Sequence, residues 1–471
     1  MLELNEVIEV AREPGEVFAY VANFSTCEEW DSTAISAKLM RPVPIVEGTQ
    51  FEVVCALPVG SITLVYTIVE LQADRLIKLR GESRFFDVVD TITLEPTEAG
   101  TRLDYRAVFS FKGIADSFAA KMEPGLRRMG AASVQQGLKQ ALEDKFPVPV
   151  ISAANARADR LVLPGVSLFG QRGFRLGRKR WNPLSAYVGD KHIVITGASS
   201  GLGLATAERL ARMGAELTLV VRDLERGQRL VDRLTRETGN QNLHLEQADL
   251  SLMADTDELV TRLLDRGKGI DVLVNNAGAL FQKRSLTAEG LEQGFALLLL
   301  APMRLTEGLK PLLGSGSRVV NVVSGGMYTQ KLRVDNLLSE KGKYNGSSNY
   351  ARLKRALVIK TEQWAQDWAR DGIIVNSMHP GWADTPGVRS SLPQFHRVTR
   401  RILRSSEQGA DTIVWLAAAT EAGKISGKLF MDREPRTTHL LNATLETSAE
   451  RETLRDYLRE MATTPTDQLA S

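Results

Sequence analysis

In residues 1–146, apolar side chains fall at every second position. Leu103, Tyr105, Ala107, Phe109 and Phe111 share one face of a run whose other face carries Arg102, Asp104, Arg106, Ser110 and Lys112. Ile62, Leu64, Tyr66 and Ile68 repeat the alternation. A period of two predicts half-buried antiparallel strands. Turns are expected at Glu47–Thr49 and Ala99–Thr101. A short helix is expected at "PGEVFAYVANF", after the first strand. The period then lengthens. Phe118, Met122, Leu126, Met129, Leu138 and Leu142 recur at helical spacing up to Phe146, with Pro124 as a kink position. The pattern predicts an α+β helix-grip unit, a curved antiparallel sheet around one long helix, with apolar space between them. Ordinary core packing accounts for any one of these apolar residues taken alone.

The pattern changes again at Lys191. Continuous apolar runs ("HIVITG", "ELTLVV", "IDVLVNNAG", "SRVVNVVSG", "IIVNSMHPG") alternate with amphipathic helices. Strands apolar on both faces predict an α/β Rossmann-type, doubly wound parallel sheet. The expected layout is a domain at 1–146, a linker at 147–190, a second domain at 191–435 and a tail at 436–471. The amphipathic stretch Thr447–Met461 in that tail is expected to be peripheral.

Composition narrows the partners. A chain of 471 residues exceeds one hydrophobic core. A net charge of +2 gives no electrostatic pointer to nucleic acid. Two cysteines, Cys27 and Cys55, make no disulfide framework and favour a reducing compartment. The first residues, "MLELNEVIEV", lack a basic region ahead of an apolar one, so a cleaved signal peptide is not expected and a cytoplasmic location is. The run "GFALLLLAP" is far too short to span a membrane, which takes about 20 apolar residues. Residues 172–181 gather Arg172, Arg175, Arg178, Lys179 and Arg180 around Phe174 and Trp181, with Phe169 just before. Two readings stand: contact with an anionic membrane or docking surface, and a solvated linker.

Three local motifs carry chemistry. "TGASSGLG", Thr196–Gly203, lies between a strand and a helix. Gly197 permits a tight turn there. Gly201 and Gly203 allow close approach of a pyrophosphate to the helix N-terminus. The next strand ends "LVVRD", where Val221 replaces the acidic residue that would bind a ribose 2′-hydroxyl. Arg222 favours a 2′-phosphate, and hence NADP(H) over NAD(H), although Asp223 stands close enough to serve the alternative. Arg222 as a solvent-facing helix-entry residue is the plain reading. Tyr350 and Lys354 stand four apart, on one face of a helix. An ammonium beside a phenol is expected to lower the phenol's pKa and fit Tyr350 for general acid/base work. That spacing alone also arises by chance. No metal site is expected.

Taken together and in order, TGASSGLG, NNAG at Asn275–Gly278, the strand ending at Ser324, Tyr350/Lys354 and "HPGWADTP" at His379–Pro386 resemble the short-chain dehydrogenase/reductase family over about residues 188–435. The branch that includes retinol dehydrogenases is the nearest in pattern. "EPGEVFAYVANFSTCEEWD", "EGTQFEV" and "LRGESRFFDVVDTITLEPTEAGTRLDYRAVFSFKG" resemble the START-like, polyketide cyclase/dehydrase-like (SRPBCC) superfamily, whose members hold hydrophobic ligands. The first resemblance implies that Tyr350 exchanges a proton with the substrate oxygen, which Ser324 also hydrogen-bonds. Lys354 would tune the tyrosine and bind the nicotinamide ribose. Gly197, Ser199, Ser200, Gly201, Leu202 and Gly203 would form the phosphate loop. Asp249 and Leu250 would meet the adenine; Asn276, Ala277 and Gly278 would line the cofactor; Pro380, Gly381 and Thr385 would hold the nicotinamide amide. A strand-capping serine and a turn aspartate are the plain readings of Ser324 and Asp249. Trp382 and Phe395, in the loop that follows, are the candidate substrate contacts. The family's dimers imply that the tyrosine helix and the "FALLLLAP" helix could pair two copies.

One position departs from the family. A Phe-x-x-Asn pattern is expected where "FALL" places Leu298. The family's asparagine holds a proton-relay water, and leucine has neither donor nor acceptor. Three outcomes stay open: an active enzyme with another proton route, a slow one, and a cofactor-binding scaffold. The expected function is an NADP(H)-dependent oxidoreductase for a lipophilic carbonyl or alcohol, joined to a domain for a small hydrophobic substrate or lipid. The rivals are that scaffold, within a lipid-binding or regulatory protein, and a cyclase-type reaction in the N-terminal cavity.

Overall fold

A computed structural model describes residues 2–31, 33–40, 45–56, 61–112, 132–143, 149–160, 168–181, 184, 188–189 and 191–464. The N-terminal part is a seven-stranded antiparallel sheet: β1 (Leu2–Val10), β2 (Ala34–Leu39), β3 (Gln50–Ala56), β4 (Ser61–Gln72), β5 (Leu76–Glu82), β6 (Phe86–Thr97) and β7 (Gly100–Phe111), in the order β1-β7-β6-β5-β4-β3-β2. Helix α1 (Pro14–Ala22) follows β1, as the sequence predicts. Alternation is realised along β4 and β7: Ile62, Leu64, Ile68, Leu103, Tyr105 and Ala107 are buried. Leu138 and Leu142 of the closing helix are buried too, although Ala132–Leu138 winds as a π-helix before Lys139–Glu143 turns α-helical. Phe118, Met122, Pro124, Leu126, Met129 and Phe146 lie outside the described residues.

Asp90, on β6, is buried with the apolar residues of this sheet, and burial pushes its carboxyl up to about 7. The unfolded chain releases that proton near pH 4, while the folded chain keeps it until about 7. The folded state is therefore progressively penalised as pH rises through that window. Asp90→Asn is expected to stabilise this domain by about 2–4 kcal/mol at pH 8 and hardly at all at pH 4. Urea unfolding at the two pH values measures the difference; equal effects at both would refute it.

The second part is an eight-stranded sheet in the order β10-β9-β8-β11-β12-β13-β14-β15. Its strands are β8 (His192–Thr196), β9 (Glu216–Val221), β10 (Leu243–Gln247), β11 (Val272–Asn275), β12 (Arg318–Val322), β13 (Ile374–Met378), β14 (Leu429–Met431) and β15 (Glu434–Arg436). All neighbours pair in parallel except β14 and β15. Helices α2 (Gln171–Arg178), α3 (Gly201–Arg212), α4 (Leu224–Thr238), α5 (Met253–Arg266), α6 (Ala301–Gly308), α7 (Gly346–Asp367), α8 (Ser406–Ala418) and α9 (Ser448–Thr463) accompany the sheet. Their ends follow local chemistry. Asp223 caps α4, Gly239 closes it in the left-handed region, and Ser405 with Gln408 forms a capping box on α8. The short β14 and β15 carry too few residues for periodicity to reveal them. Between them Asp432 and Arg433 both adopt positive φ, 56° and 58°. Two such residues make the tight turn of a two-residue hairpin, a turn that favours Asn-Gly. Here the Arg404–Asp432 and Arg433–Asp411 ion pairs hold the strained conformation.

Three expectations about the flanking segments are corrected. The described part of 147–190 is no free linker: Asp159 pairs with Arg436 in the interior, and Asn155 donates to Glu434 at 2.7 Å. The aromatics near 172–181 face inward. Phe169 and Phe174 are buried, and Trp181 donates to the Asp432 carbonyl at 2.9 Å, so none of the three is presented as a membrane anchor. Arg178 donates to the carbonyls of Ala34 and Ile35, tying α2 to the N-terminal sheet, while Arg172, Arg175, Lys179 and Arg180 stay exposed. The tail is not peripheral either. Leu454 and Leu458 of α9 are 0% exposed within the main core, and Tyr457 meets Phe295 at 6.1 Å. Arg451–Glu362 and the Gln363–Arg451 hydrogen bond fix α9 along α7, on a helix that the sequence reading offered to a second copy. Leu458→Ala should cost about 2–5 kcal/mol. A urea midpoint unchanged by this substitution would show that α9 is not part of the folded core. No helix among the described residues is long and apolar enough to cross a membrane.

Candidate active site

The carboxyl ends of β8, β9, β11, β12 and β13 converge on one cleft of about 540 Å³. Ligands of open parallel sheets bind at this edge. The loop after β8 forms one wall. Gly197 has φ +66°, and a Cβ there would stand 2.9 Å from the Ala277 Cα. A Cβ on Gly203 would stand 2.3 Å from the Gly197 carbonyl oxygen, so this glycine sets helix-to-loop packing rather than lining the cleft. Ser200 precedes α3 without capping it through its side chain. The first-turn N–H groups of α3 are thus left for an anion in the cleft. Asn276 braces the loop through hydrogen bonds to the Thr196 and Gly197 carbonyls.

At the β9 end, Arg222 and Asp249 both border the cleft, 3.9 Å apart. Asp223 is turned away from it, accepting the Arg226 N–H at 2.9 Å as the cap of α4. Asp249 also accepts from Ser251 N and Oγ, so the turn-aspartate reading and the cleft position hold together.

Ser324, Tyr350 and Lys354 meet at the other end. The Ser324 hydroxyl accepts the Gly326 N–H at 3.2 Å, capping the turn Gly325–Thr329 while still lining the cleft. Lys354 Nζ donates to the Val322 carbonyl at 2.8 Å and lies 5.9 Å from the Tyr350 ring. Burial pushes the Tyr350 phenol up to about 12 and the Lys354 amine down to about 7. The expected lowering of the phenol by its lysine is therefore corrected for this arrangement: desolvation penalises both charged forms, and the ammonium is spent on a carbonyl. Leu298 is buried on the π-helical turn Ala296–Leu300. A Cβ added to Gly278 would stand 3.1 Å from its Cδ2 and 3.8 Å from Lys354 Nζ, so leucine and lysine flank the same glycine.

Ser199, Gly201, Leu202, Leu250, Ala277, Gly278, Pro380, Gly381 and Thr385 line the same cleft. Trp382 and Phe395 do not. Trp382 is held edge-on to Phe169 at 6.0 Å and to Phe395 at 5.5 Å; its backbone N–H donates to the Phe169 carbonyl and its own carbonyl accepts from the Arg404 N–H. Phe281, Leu297 and Val388 are among the apolar groups at the cleft that the sequence did not single out. Phe169 was missed as well. Its ring meets His379 at 4.7 Å, and a Cβ on Gly325 would stand 2.9 Å from it. It thus backs both the serine turn and the loop of Pro380 and Gly381. Arg404, fully buried, donates to the carbonyls of Leu168, Gly170 and Pro380 and locks this junction.

Comparison with known proteins agrees with this geometry. The family model for short chain dehydrogenase matches residues 191–394. The model for polyketide cyclase / dehydrase and lipid transport matches residues 1–143. Human dehydrogenase/reductase SDR family member 12 is 41% identical over 306 residues, 64% of this chain and 96% of the relative. A putative daunorubicin C-13 ketoreductase, DnrU of Streptomyces sp. (strain C5), is 33% identical over 242 residues, 51% of this chain and 83% of the relative. Human retinol dehydrogenase 13 is 29% identical over 258 residues, 53% of this chain and 78% of the relative. With the glycine loop, the serine turn and the tyrosine–lysine helix gathered on one cleft, the chain belongs to the short-chain dehydrogenase/reductase family.

Proposed function

We propose that the protein is an NADP(H)-dependent oxidoreductase acting on a lipophilic carbonyl or alcohol, which its N-terminal domain binds and presents. The carrying observation is that one cleft has Ser324, Tyr350 and Lys354 at one end and Arg222 at the other. The cofactor would supply hydride at nicotinamide C4. Ser324 would hold the substrate oxygen and Tyr350 would exchange its proton, with Lys354 beside them. Phe281, Leu297 and Val388 give the cleft apolar lining suited to an apolar substrate. The relatives named above include a ketoreductase and a retinol dehydrogenase, which agrees with this substrate class. In this reading residues 1–146 bind the ligand, 191–435 carry the reaction, and 147–190 and 436–471 buttress the latter. Cys27 and Cys55 are thiols rather than a disulfide, which fits a cytoplasmic setting.

NADP(H) is preferred because Asp223 is committed to its helix while Arg222 is exposed beside the cleft. Arg222→Ala should weaken NADPH binding about 10- to 100-fold and leave NADH binding nearly unchanged. Equal losses for the two cofactors, measured by fluorescence titration, would refute the assignment.

Leu298 favours a second reading, a catalytically impaired scaffold that binds the cofactor without turnover. Tight NADPH binding with no oxidation across retinoid, steroid and fatty aldehydes would support it. A rise in turnover on Leu298→Asn would place the defect in proton relay.

A further inference from the structure

Two stretches far apart in the chain share one surface. α2 begins at Gln171, whose N–H donates to the Ile402 carbonyl at 2.9 Å and whose side-chain amide donates to the Leu403 carbonyl at 2.6 Å. Ile402 follows the helical turns Pro386–Ser391 and Pro393–Thr399. The inner side of the second turn is pinned: Phe395 packs on Trp382 at 5.5 Å, and His396 meets Asp384 at 3.2 Å. Its outer side and the residues after it leave Arg397, Val398, Arg400, Arg401 and Ile402 exposed. On the other side of Gln171, α2 exposes Arg172, Arg175 and Leu176. Leu176 is 45% exposed, Ile402 50% and Val398 83%, more than any other large apolar side chain among the described residues.

A lone exposed aliphatic needs no explanation, but three framed by arginines do. Elsewhere surface arginines are matched: Arg229 pairs with Glu225, Arg233 with Glu208 and Glu237, and Arg333 with Asp335. Arg172, Arg397, Arg400 and Arg401 make no ion pair among the described residues, and Arg175 donates to the Gln171 amide oxygen. The sequence explains the mismatch. No acid lies between Asp159 and Asp190 or between Asp384 and Glu407, and Asp384 is taken up by Arg389 and His396. In a chain of net charge +2, the excess is local to this surface.

We propose that this surface docks the protein on an anionic lipid bilayer, with the arginines on lipid phosphates and Leu176, Val398 and Ile402 entering the boundary between head groups and acyl chains. Guanidinium forks match phosphate oxygens, and aliphatic side chains among them gain by leaving water. A nucleic acid fits less well. It would set the three aliphatics against its phosphates, while the nearby Phe174 and Phe395, which could stack on bases, are turned inward. Docking also has a consequence for the cleft. Val388, Pro386 and Gly387 line it and belong to the same segment, so its mouth would open beside the acyl chains. A lipophilic substrate would then enter from the bilayer without crossing water. That consequence, unlike the docking, rests on the oxidoreductase reading.

The test is co-sedimentation of the full chain with vesicles of phosphatidylcholine, alone or with about one third phosphatidylserine. Binding is expected to the anionic vesicles only, and to be lost as salt rises from about 0.1 to 0.5 M. Replacing Arg397, Arg400 and Arg401 together by Glu should lower it at least about tenfold. Arg172→Glu with Arg175→Glu, on the other stretch, gives an independent reading should that variant fail to fold, with several-fold weaker binding expected. Val398→Ser should weaken binding several-fold and keep its salt dependence. Arg75→Glu with Arg102→Glu, exposed on the N-terminal sheet, should change nothing. No binding to anionic vesicles, equal binding to neutral ones, or wild-type binding by a folded patch variant would overturn the proposal. So would binding of a DNA duplex in place of vesicles with the same sensitivity to the arginine variants. Sedimentation needs neither cofactor nor turnover, so failure here is separate from failure of NADPH oxidation, which would sink the oxidoreductase reading alone.

Discussion

Tyr350→Phe is expected to lower NADPH-dependent carbonyl reduction by about 100- to 10 000-fold while leaving NADPH affinity within a few-fold of wild type. The ring stays and the proton goes. Phenylalanine keeps the apolar contacts of a half-buried residue on α7 but offers nothing to the substrate oxygen. Steady-state kinetics with a separate cofactor titration divides the two effects, and an unchanged rate would remove Tyr350 from the chemistry. The same site carries a pH signature. Lys354, with its amine held down to about 7 by burial, is charged below that pH and neutral above it. If its ammonium helps hold the cofactor, NADPH affinity should fall as pH rises through about 7. Lys354→Met should flatten that dependence.

Phe169→Ala is the other large effect. This ring is buried, contacts His379, Tyr328 and Trp382, and sits against Gly325. Truncating a core phenylalanine costs about 3–5 kcal/mol. The cavity would open behind two cleft walls at once, the turn that aims Ser324 and the loop of Pro380 and Gly381. Displacement of about 1 Å at such positions lowers turnover by roughly 100-fold. Thermal unfolding should therefore show a large downward shift, and the folded fraction should turn over far more slowly. Full activity per folded molecule would reduce Phe169 to ordinary packing. Leucine at 169 should restore most of the stability and little of the rate, because it fills volume without the flat edge that His379 meets.

Much of this was legible in the sequence where a repeat or a local motif carried it. Alternation revealed β4 and β7, and continuous apolar runs revealed the parallel strands. The strand–glycine–helix order located the glycine turn between β8 and α3, whose backbone conformation depends on a few adjacent residues. The illegible parts depend on partners far along the chain. Phe169 lies in a segment broken by glycines, so nothing local shows that its ring ends beside His379. Trp382 and Phe395 look free to meet a substrate until Phe169 occupies the space between the loops. Leu454 and Leu458 give the same amphipathic stripe whether α9 is a surface helix or a core one. The burial of Tyr350 and Lys354, which outweighs their mutual effect, likewise follows from packing and not from their spacing.

The pair Asp159–Arg436 spans 277 residues. During synthesis the N-terminal sheet has all seven strands once Phe111 has emerged, early in a chain of 471 residues. The catalytic part must wait. Asp159 precedes its first sheet strand, β8, while Arg436 follows 277 residues later and α9 later still, so over that stretch of synthesis the interior lacks both the partner of Asp159 and the cover of α9. Domains fold as units, N-terminal first, and exposed apolar surface on a waiting chain favours aggregation. The N-terminal sheet therefore has all its strands long before the second domain does, and the second domain carries the longer exposure of apolar surface.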